Sequence, residues 1–259
     1  MVTENIYKNA WYAHGAGVRF AQAEQQELSD LLPELYGYHL VQLGNSRLST
    51  YTKSSLISHR VIVDPDLDET HQHDKAYDKV KADLHNLPFR SDSVDVAVLL
   101  HTLEQATHPH EVLREVERVL ISEGYVVITG INPISLWGLW LSWKKLFGKI
   151  SGRGHLISLR RLRDWLKLLN FQVTGGRLFY YRPPIFNYRI LRKLEFLERW
   201  GKRCWPFLGG GYTLVAVKRR VPMTPLKAKW KTKKEKWIDA ESLPKPTAQF
   251  VCKEKINER

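Results

Sequence analysis

The residues of this 259-residue chain best suited to chemistry stand where short apolar runs end. Gly44 closes the run HLVQLG and is followed by Asn45, Ser46 and Arg47. A glycine at a strand end lets the backbone turn sharply and approach a ligand, as in the turns that hold nucleotide-like molecules in open α/β folds. Such a turn usually carries three glycines, and two are missing here. Asn tolerates left-handed backbone and Ser is small, so Asn45 and Ser46 can take over part of the glycine role. Asp64 follows Gly44 by 20 residues, the interval at which an acid at the end of the second strand reaches ribose hydroxyls. Asp66 is the neighbouring alternative, and Asp64 also reads as an acid capping a turn before Pro65. His101 ends the run VDVAVLL with Glu104 one helical turn on. That pair suits a proton acceptor and its orienter, or the polar rim of a helix start.

These positions need a scaffold of alternating strands and helices around a mostly parallel sheet. EQQELSDLLPEL (24–35) reads as a helix, and HLVQLG, HRVIVDPD (59–66) and VDVAVLL (94–100) as strands. The intervening NSRLSTYTKSSLISHR is rich in Ser and Thr, so the first crossover is expected to be short or irregular. HPHEVLREVERVLISEG (108–124) places Val112, Val116, Val119 and Leu120 on one face and ends on Gly124, a helix with a C-terminal glycine. YVVITG, QVTGGRLFYY (172–181, interrupted by glycines) and GYTLVAVKRR (211–220) complete the strands. SLRRLRDWLKLLNF (158–171) and NYRILRKLEFLERWGKR (187–203) are basic amphipathic helices.

The net charge of +13 is unevenly spread. Residues 1–143 carry 11 basic and 19 acidic groups, residues 144–217 carry 16 and 3, and residues 218–259 carry 13 and 5. The basic C-terminal half should attract an anionic partner, nucleic acid or an anionic membrane surface, or else serve as a solvated surface. Only Cys204 and Cys252 are present, which excludes a disulfide framework and a CxxC zinc site. The polar N-terminus lacks the apolar core of a signal peptide, so a cytoplasmic location is expected. YVVITGINPISLWGLWLSW (125–143) is uncharged but contains Asn132, Pro133 and three glycines, and is not read as a membrane span. The histidines of HTLEQATHPH and HQHDK match no strong ligand template, so no metal is expected.

KADLHNLPFRSDSVDVAVLLHTLEQATHPHEVLREVERVLISEGYVVITG (81–130) resembles the central block of class I S-adenosylmethionine-dependent methyltransferases of the type 11 group. Its marks are Asp83, Leu87-Pro88-Phe89, Val94-Asp95, a helix of the form P-x-x-x-L-R-E-x-x-R-V-L from Pro109 to Leu120, and Gly124 before Val126 to Ile128. LRDWLKLLNFQV and YTLVAVKR resemble the closing elements, so the likeness covers about residues 30 to 218. The resemblance implies a Rossmann-like α/β fold with a mostly parallel seven-stranded sheet, helices on both faces, and S-adenosyl-L-methionine as cofactor. It assigns the cofactor backbone approach to Gly44, Asn45 and Ser46, the ribose to Asp64, and the adenine to Asp83 and Leu84. It sets Leu99, Leu100 and His101 beside the sulfonium, while Arg47, standing where the family usually carries a glycine-rich turn, is suited by its charge to meet the cofactor carboxylate. The methyl acceptor is left unnamed, and is expected to be anionic or large.

The chain is thus expected to comprise an N-terminal helical extension (1–29), a methyltransferase-like domain (30–220) and a basic, disordered tail (221–259). Within the domain, residues 132–157 form a Trp-rich lid or insert. There Trp137, Trp140, Trp143 and Phe147 recur at helical spacing beside Lys144, Lys145 and Lys149. They suit a lid, an aromatic wall, an interfacial membrane helix or a core-packing helix. Against the enzyme stands a degenerate, methyltransferase-like binding module working through its basic half.

Overall fold

The computed structural model describes residues 16–67, 77–147, 155–183 and 205–220. Among them a single sheet of seven strands forms in the order β3-β2-β1-β4-β5-β7-β6. The strands are β1 (His39–Leu43), β2 (His59–Val63), β3 (Asp78–Val80), β4 (Val94–Leu100), β5 (Leu120–Ile131), β6 (Phe171–Phe179) and β7 (Gly211–Lys218). β1 to β5 run parallel, and β7 inserts antiparallel between β5 and β6. The central β4 and β7 are apolar because both faces are covered.

α3 (Pro109–Val119) and α5 (Leu159–Leu168) bury Val112, Leu113, Val116, Leu162 and Leu166 against one face. α1 (Ala16–Leu31) covers the other with Leu28, and Leu32 follows it into the same cluster. α2 (Thr102–Gln105) and α4 (Leu136–Leu146) follow β4 and β5. The β1–β2 crossover is a 3-10 segment, Ser46–Thr52, the irregular connection expected from its Ser and Thr content. At the opposite end of β1, the Asp95 carboxylate accepts the N–H groups of Tyr38 and His39 at 3.1 and 2.9 Å.

Two boundaries differ from the sequence reading. α3 ends at Val119, not at Gly124, because Leu120 pairs with Val94 and sheet pairing continues the chain directly into β5. α1 runs from Ala16 to Leu31, not 24 to 35, and stops just ahead of Pro33. The expected boundary between residues 29 and 30 falls inside this helix, whose Phe20 and Leu28 are fully buried. The stretch 125–143 divides into the end of β5 and most of α4, and among the described residues no helix is long and apolar enough to cross a membrane. The expected helix at 187–203 and the tail at 221–259 lie outside the described residues.

If α1 is integral to the core, Leu28→Ala should destabilise the protein by about 2–5 kcal/mol, the range for truncating a fully buried leucine. Denaturant unfolding reads this directly, and a loss well under 1 kcal/mol would make α1 peripheral.

Candidate functional site

The turn after β1 departs from right-handed backbone at two residues in succession, Gly44 at φ 69° and Asn45 at φ 50°. Gly44 donates its N–H to the Val63 carbonyl at 2.7 Å. A Cβ on Gly44 would lie 3.3 Å from Thr102 Oγ1, so the left-handed conformation favours glycine there and the space for a side chain is tight. Asn accepts the left-handed region more readily than most residues and occupies the second position without a glycine. The Arg47 side chain lies outside the described residues.

Asp64 holds this turn. Its Oδ2 accepts the Ser46 N–H at 2.7 Å and its Oδ1 accepts the Asp66 N–H at 3.0 Å. Two residues unnoticed in the sequence support it. Gln42, fully buried on β1, donates from Nε2 to the Asn45 carbonyl at 3.1 Å, and the Thr102 hydroxyl donates to the Leu43 carbonyl. Neither belongs to a recognisable motif, because each acts on the backbone through a geometry set by the sheet.

Asp83 is organised locally. Its Oδ1 accepts the His85 N–H at 3.0 Å and meets His85 Nδ1 at 2.8 Å. The His85 amide, and next its ring, hold the Asp83 carboxyl below the ordinary carboxylate range. The following Leu87–Phe89 segment is clamped by the L-R-E-x-x-R stretch of α3. Arg118 donates to the Leu87 and Phe89 carbonyls at 3.1 and 2.9 Å, and Glu115 accepts the Leu87 N–H at 3.0 Å while pairing with Arg118 at 2.8 Å. That motif therefore fixes the loop that presents Asp83.

These pieces converge on a cavity of about 200 Å³. Gly44, Asn45, Asp64, Asp83 and Leu84 line it, with Thr102, Gln105 and His85 completing the wall. Asn45 Nδ2 and His85 Nε2 are buried side-chain nitrogens with no hydrogen-bond partner among the described residues. Ser46 does not line the cavity, and its amide N–H is donated to Asp64. Leu99 and Leu100 are fully buried in the cores on opposite faces of the sheet, and neither lines the cavity.

His101 and Glu104 do meet, but away from solvent. His101 has left-handed backbone (φ 54°) and no exposure. Its Nδ1 lies 3.0 Å from Glu104 and its Nε2 2.9 Å from Glu24 of α1. Burial alone would push the imidazole pKa down. The Glu24 charge and the Glu104 hydrogen bond outweigh that and raise it to about 10. Glu104 also accepts the Ile131 N–H at 2.6 Å. Both ring nitrogens face carboxylates, so His101 is not placed to take a proton from a substrate. The missing signal was Glu24, far away in the chain.

The Trp-rich helix α4 divides. Trp137 is buried among Phe20, Phe179 and Tyr180 and donates from Nε1 to the Arg182 carbonyl at 2.7 Å. Trp140 is partly buried, with Lys144 Nζ 4.0 Å from its ring centroid, while Trp143 and Phe147 are exposed. Of the alternatives the sequence offers, core packing describes Trp137, and the four aromatics do not share one face. No group of three or more His, Cys, Asp or Glu suited to a metal occurs among the described residues, and HQHDK lies outside them.

With this geometry in place, similarity to known proteins becomes informative. The methyltransferase domain family Methyltransf_11 matches residues 41–128, from β1 to the middle of β5. An uncharacterised protein of Escherichia coli, YafS, is 33% identical over 214 residues, covering 80% of each chain. Among solved structures, a chain of the Haloferax volcanii complex containing the Trm112 methyltransferase activator superposes with a TM-score of 0.60 at 18% identity. It covers 82% of this chain and 96% of that one. An S-adenosylmethionine-dependent methyltransferase of Thermotoga maritima, described as a possible histamine N-methyltransferase, gives 0.57 at 18% identity, covering 77% and 89%.

The buried His101 cluster sets a pH dependence. An imidazole whose pKa rises from about 6.5 unfolded to about 10 folded contributes stability that is full below the unfolded value. That contribution is lost as pH climbs through the folded one. The stability gap between wild type and His101→Gln should therefore shrink from about pH 6 to about pH 10, read as unfolding free energies. A gap that widens with pH would contradict the assignment.

Proposed function

This chain belongs to the class I S-adenosylmethionine-dependent methyltransferases of the type 11 group, and on that premise we propose that it binds S-adenosylmethionine in the Gly44–Asp64–Asp83 cleft and methylates an anionic or large acceptor. The observation that carries the proposal is the convergence of residues from four separate strand ends on one cavity.

The groups present fit that cofactor. Asp64 spends one lone pair per oxygen on Ser46 and Asp66, which leaves acceptor capacity for ribose hydroxyls. Asp83 stays ionised at neutral pH and can accept from an exocyclic amine beside the apolar face of Leu84. The unpartnered Asn45 Nδ2 is a donor awaiting an acceptor. The cavity formed by the described residues, about 200 Å³, lies below the ~300 Å³ at which small-molecule sites begin, so it accounts for part of the cofactor's volume.

The cofactor supplies an electrophilic methyl group. This chain's part is to hold and orient. Among the described residues His101 is enclosed between Glu24 and Glu104 and no free base stands at the end of β4, so in this reading the acceptor atom arrives already nucleophilic and is methylated through positioning. Over the same strand end, Phe20 and Glu24 of α1 pack on His101, so α1 roofs the expected methyl-transfer end of the cleft. The intact acidic pair and loop geometry favour this reading over a binding module that has lost its cofactor.

Titration calorimetry with S-adenosylmethionine and S-adenosylhomocysteine is expected to show micromolar binding. Asp64→Ala and Asp83→Ala should each weaken it at least tenfold, about 1.4 kcal/mol. Absence of binding to the folded wild-type protein would remove the proposal.

A further inference from the structure

Among the described residues α4 is apolar on two sides, and only one of them packs into the core. Trp137 and Leu141 anchor the helix in the core, and Asn132 and Ser135 fix its start through hydrogen bonds to the Gly209 carbonyl and the Gly138 N–H. On the opposite side Leu136, Leu139, Trp143 and Leu146 follow one another at three- and four-residue spacing, with Phe147 just beyond. These five are 51–81% exposed. The patch extends past the helix. Ile134 precedes it, and Asn132 Nδ2 donates to the Phe207 carbonyl at 2.8 Å, which brings the exposed Phe207 alongside. Scattered surface leucines need no explanation, but a contiguous stripe of this kind marks a docking surface.

Charge identifies what docks. Residues 124–163 contain no Asp or Glu and seven Lys or Arg. Within α4, Lys144 lies over the half-buried Trp140, at the edge where an apolar face meets water. A protein partner built on apolar contact alone would not call for forty residues free of acid, whereas an anionic bilayer attracts such a segment and repels acidic groups. Trp and Lys together suit the headgroup level, where a ring has one apolar and one wet side.

We propose that the exposed face of α4 is a docking site for an anionic membrane surface, with Leu139, Trp143 and Phe147 entering the headgroup boundary and neighbouring cations meeting lipid phosphates. Length excludes spanning, since 11 residues at about 1.5 Å each reach roughly half of the ~30 Å hydrocarbon layer. The helix lies along the surface. This site is separate from the cofactor cleft and does not rest on the methyltransferase reading.

The test is co-sedimentation of the full chain with vesicles of phosphatidylcholine alone and of phosphatidylcholine with phosphatidylglycerol. Binding should be at least tenfold tighter to the anionic vesicles and fall at least tenfold in Leu139→Glu/Trp143→Glu. The thermal midpoint of that variant should stay near wild type, because both side chains already face water. Phe147→Ser offers a milder second variant with a smaller loss in the same direction. Several results would overturn the proposal: no binding to either vesicle, undiminished binding by the double variant, or a single-stranded RNA bound more tightly than the vesicles and lost in that variant. A concentration-dependent dimer abolished by the double variant, without vesicle binding, would assign the face to a second copy instead.

Discussion

Two backbone amides, those of Ser46 and Asp66, converge on the Asp64 carboxylate at 2.7 and 3.0 Å, and the cleft depends on that convergence. A glycine-rich turn reaches its shape because several residues carry no Cβ. This turn has one glycine, and its left-handed course through Asn45 is held from outside. Asp64 secures it from β2, Gln42 from β1 and Thr102 from the end of β4. Charge-assisted and buried hydrogen bonds of this kind hold firmly because leaving any member unpaired is costly. The missing glycines are thus replaced by a set of side-chain acceptors and donors, and the same Asp64 retains capacity toward a ligand.

A second constraint comes from the buried charges above β4. His101 lies between Glu24 and Glu104 with no exposure. Removing one member would leave the others buried without compensation, so α1 is tied to the strand end by more than apolar contact. Glu104 also reaches the Ile131 N–H, and burial and then the Glu104 charge push the Tyr212 phenol pKa well up. The cluster therefore links α1, β4, β5 and β7. It explains why the residue that looks most like a catalytic base in the sequence has a structural task. Asp83 stands exposed at the cleft and Asp64 is buried within its turn, while His101 beyond Leu100 is enclosed by α1.

Most of the scaffold was legible in the sequence because strand runs, the Pro109 helix start and the L-R-E-x-x-R pattern are local signals. Gly44 and Asp64 were legible for the same reason, since each sits at a strand end with informative spacing, whereas Asp83 was marked only by the resemblance carried by Leu87-Pro88-Phe89, and the short β3 before it left no signal. What escaped was nonlocal. Glu24 interrupts the stripe Phe20, Glu24, Leu28 with a charge whose partner lies on another element, which hid the first half of α1. Gly124 carried a stop signal that pairing of Leu120 with Val94 overrode. Leu99 and Leu100 were placed by strand end alone, but side-chain alternation sends them into the two cores. Trp137 and Trp143 share one periodic pattern, yet only tertiary packing decides that the first is core and the second surface.

Asp64 organises a turn that glycine no longer shapes. Amide hydrogen exchange at Ser46, followed by NMR in the wild type and in Asp64→Ala, addresses that claim directly. A Ser46 amide protected in the wild type, and exchanging at least tenfold faster in the variant while the amides of β1 and β4 stay protected, is the expected result. A Ser46 amide that exchanges freely in the wild type, or equally slowly in both proteins, would contradict it.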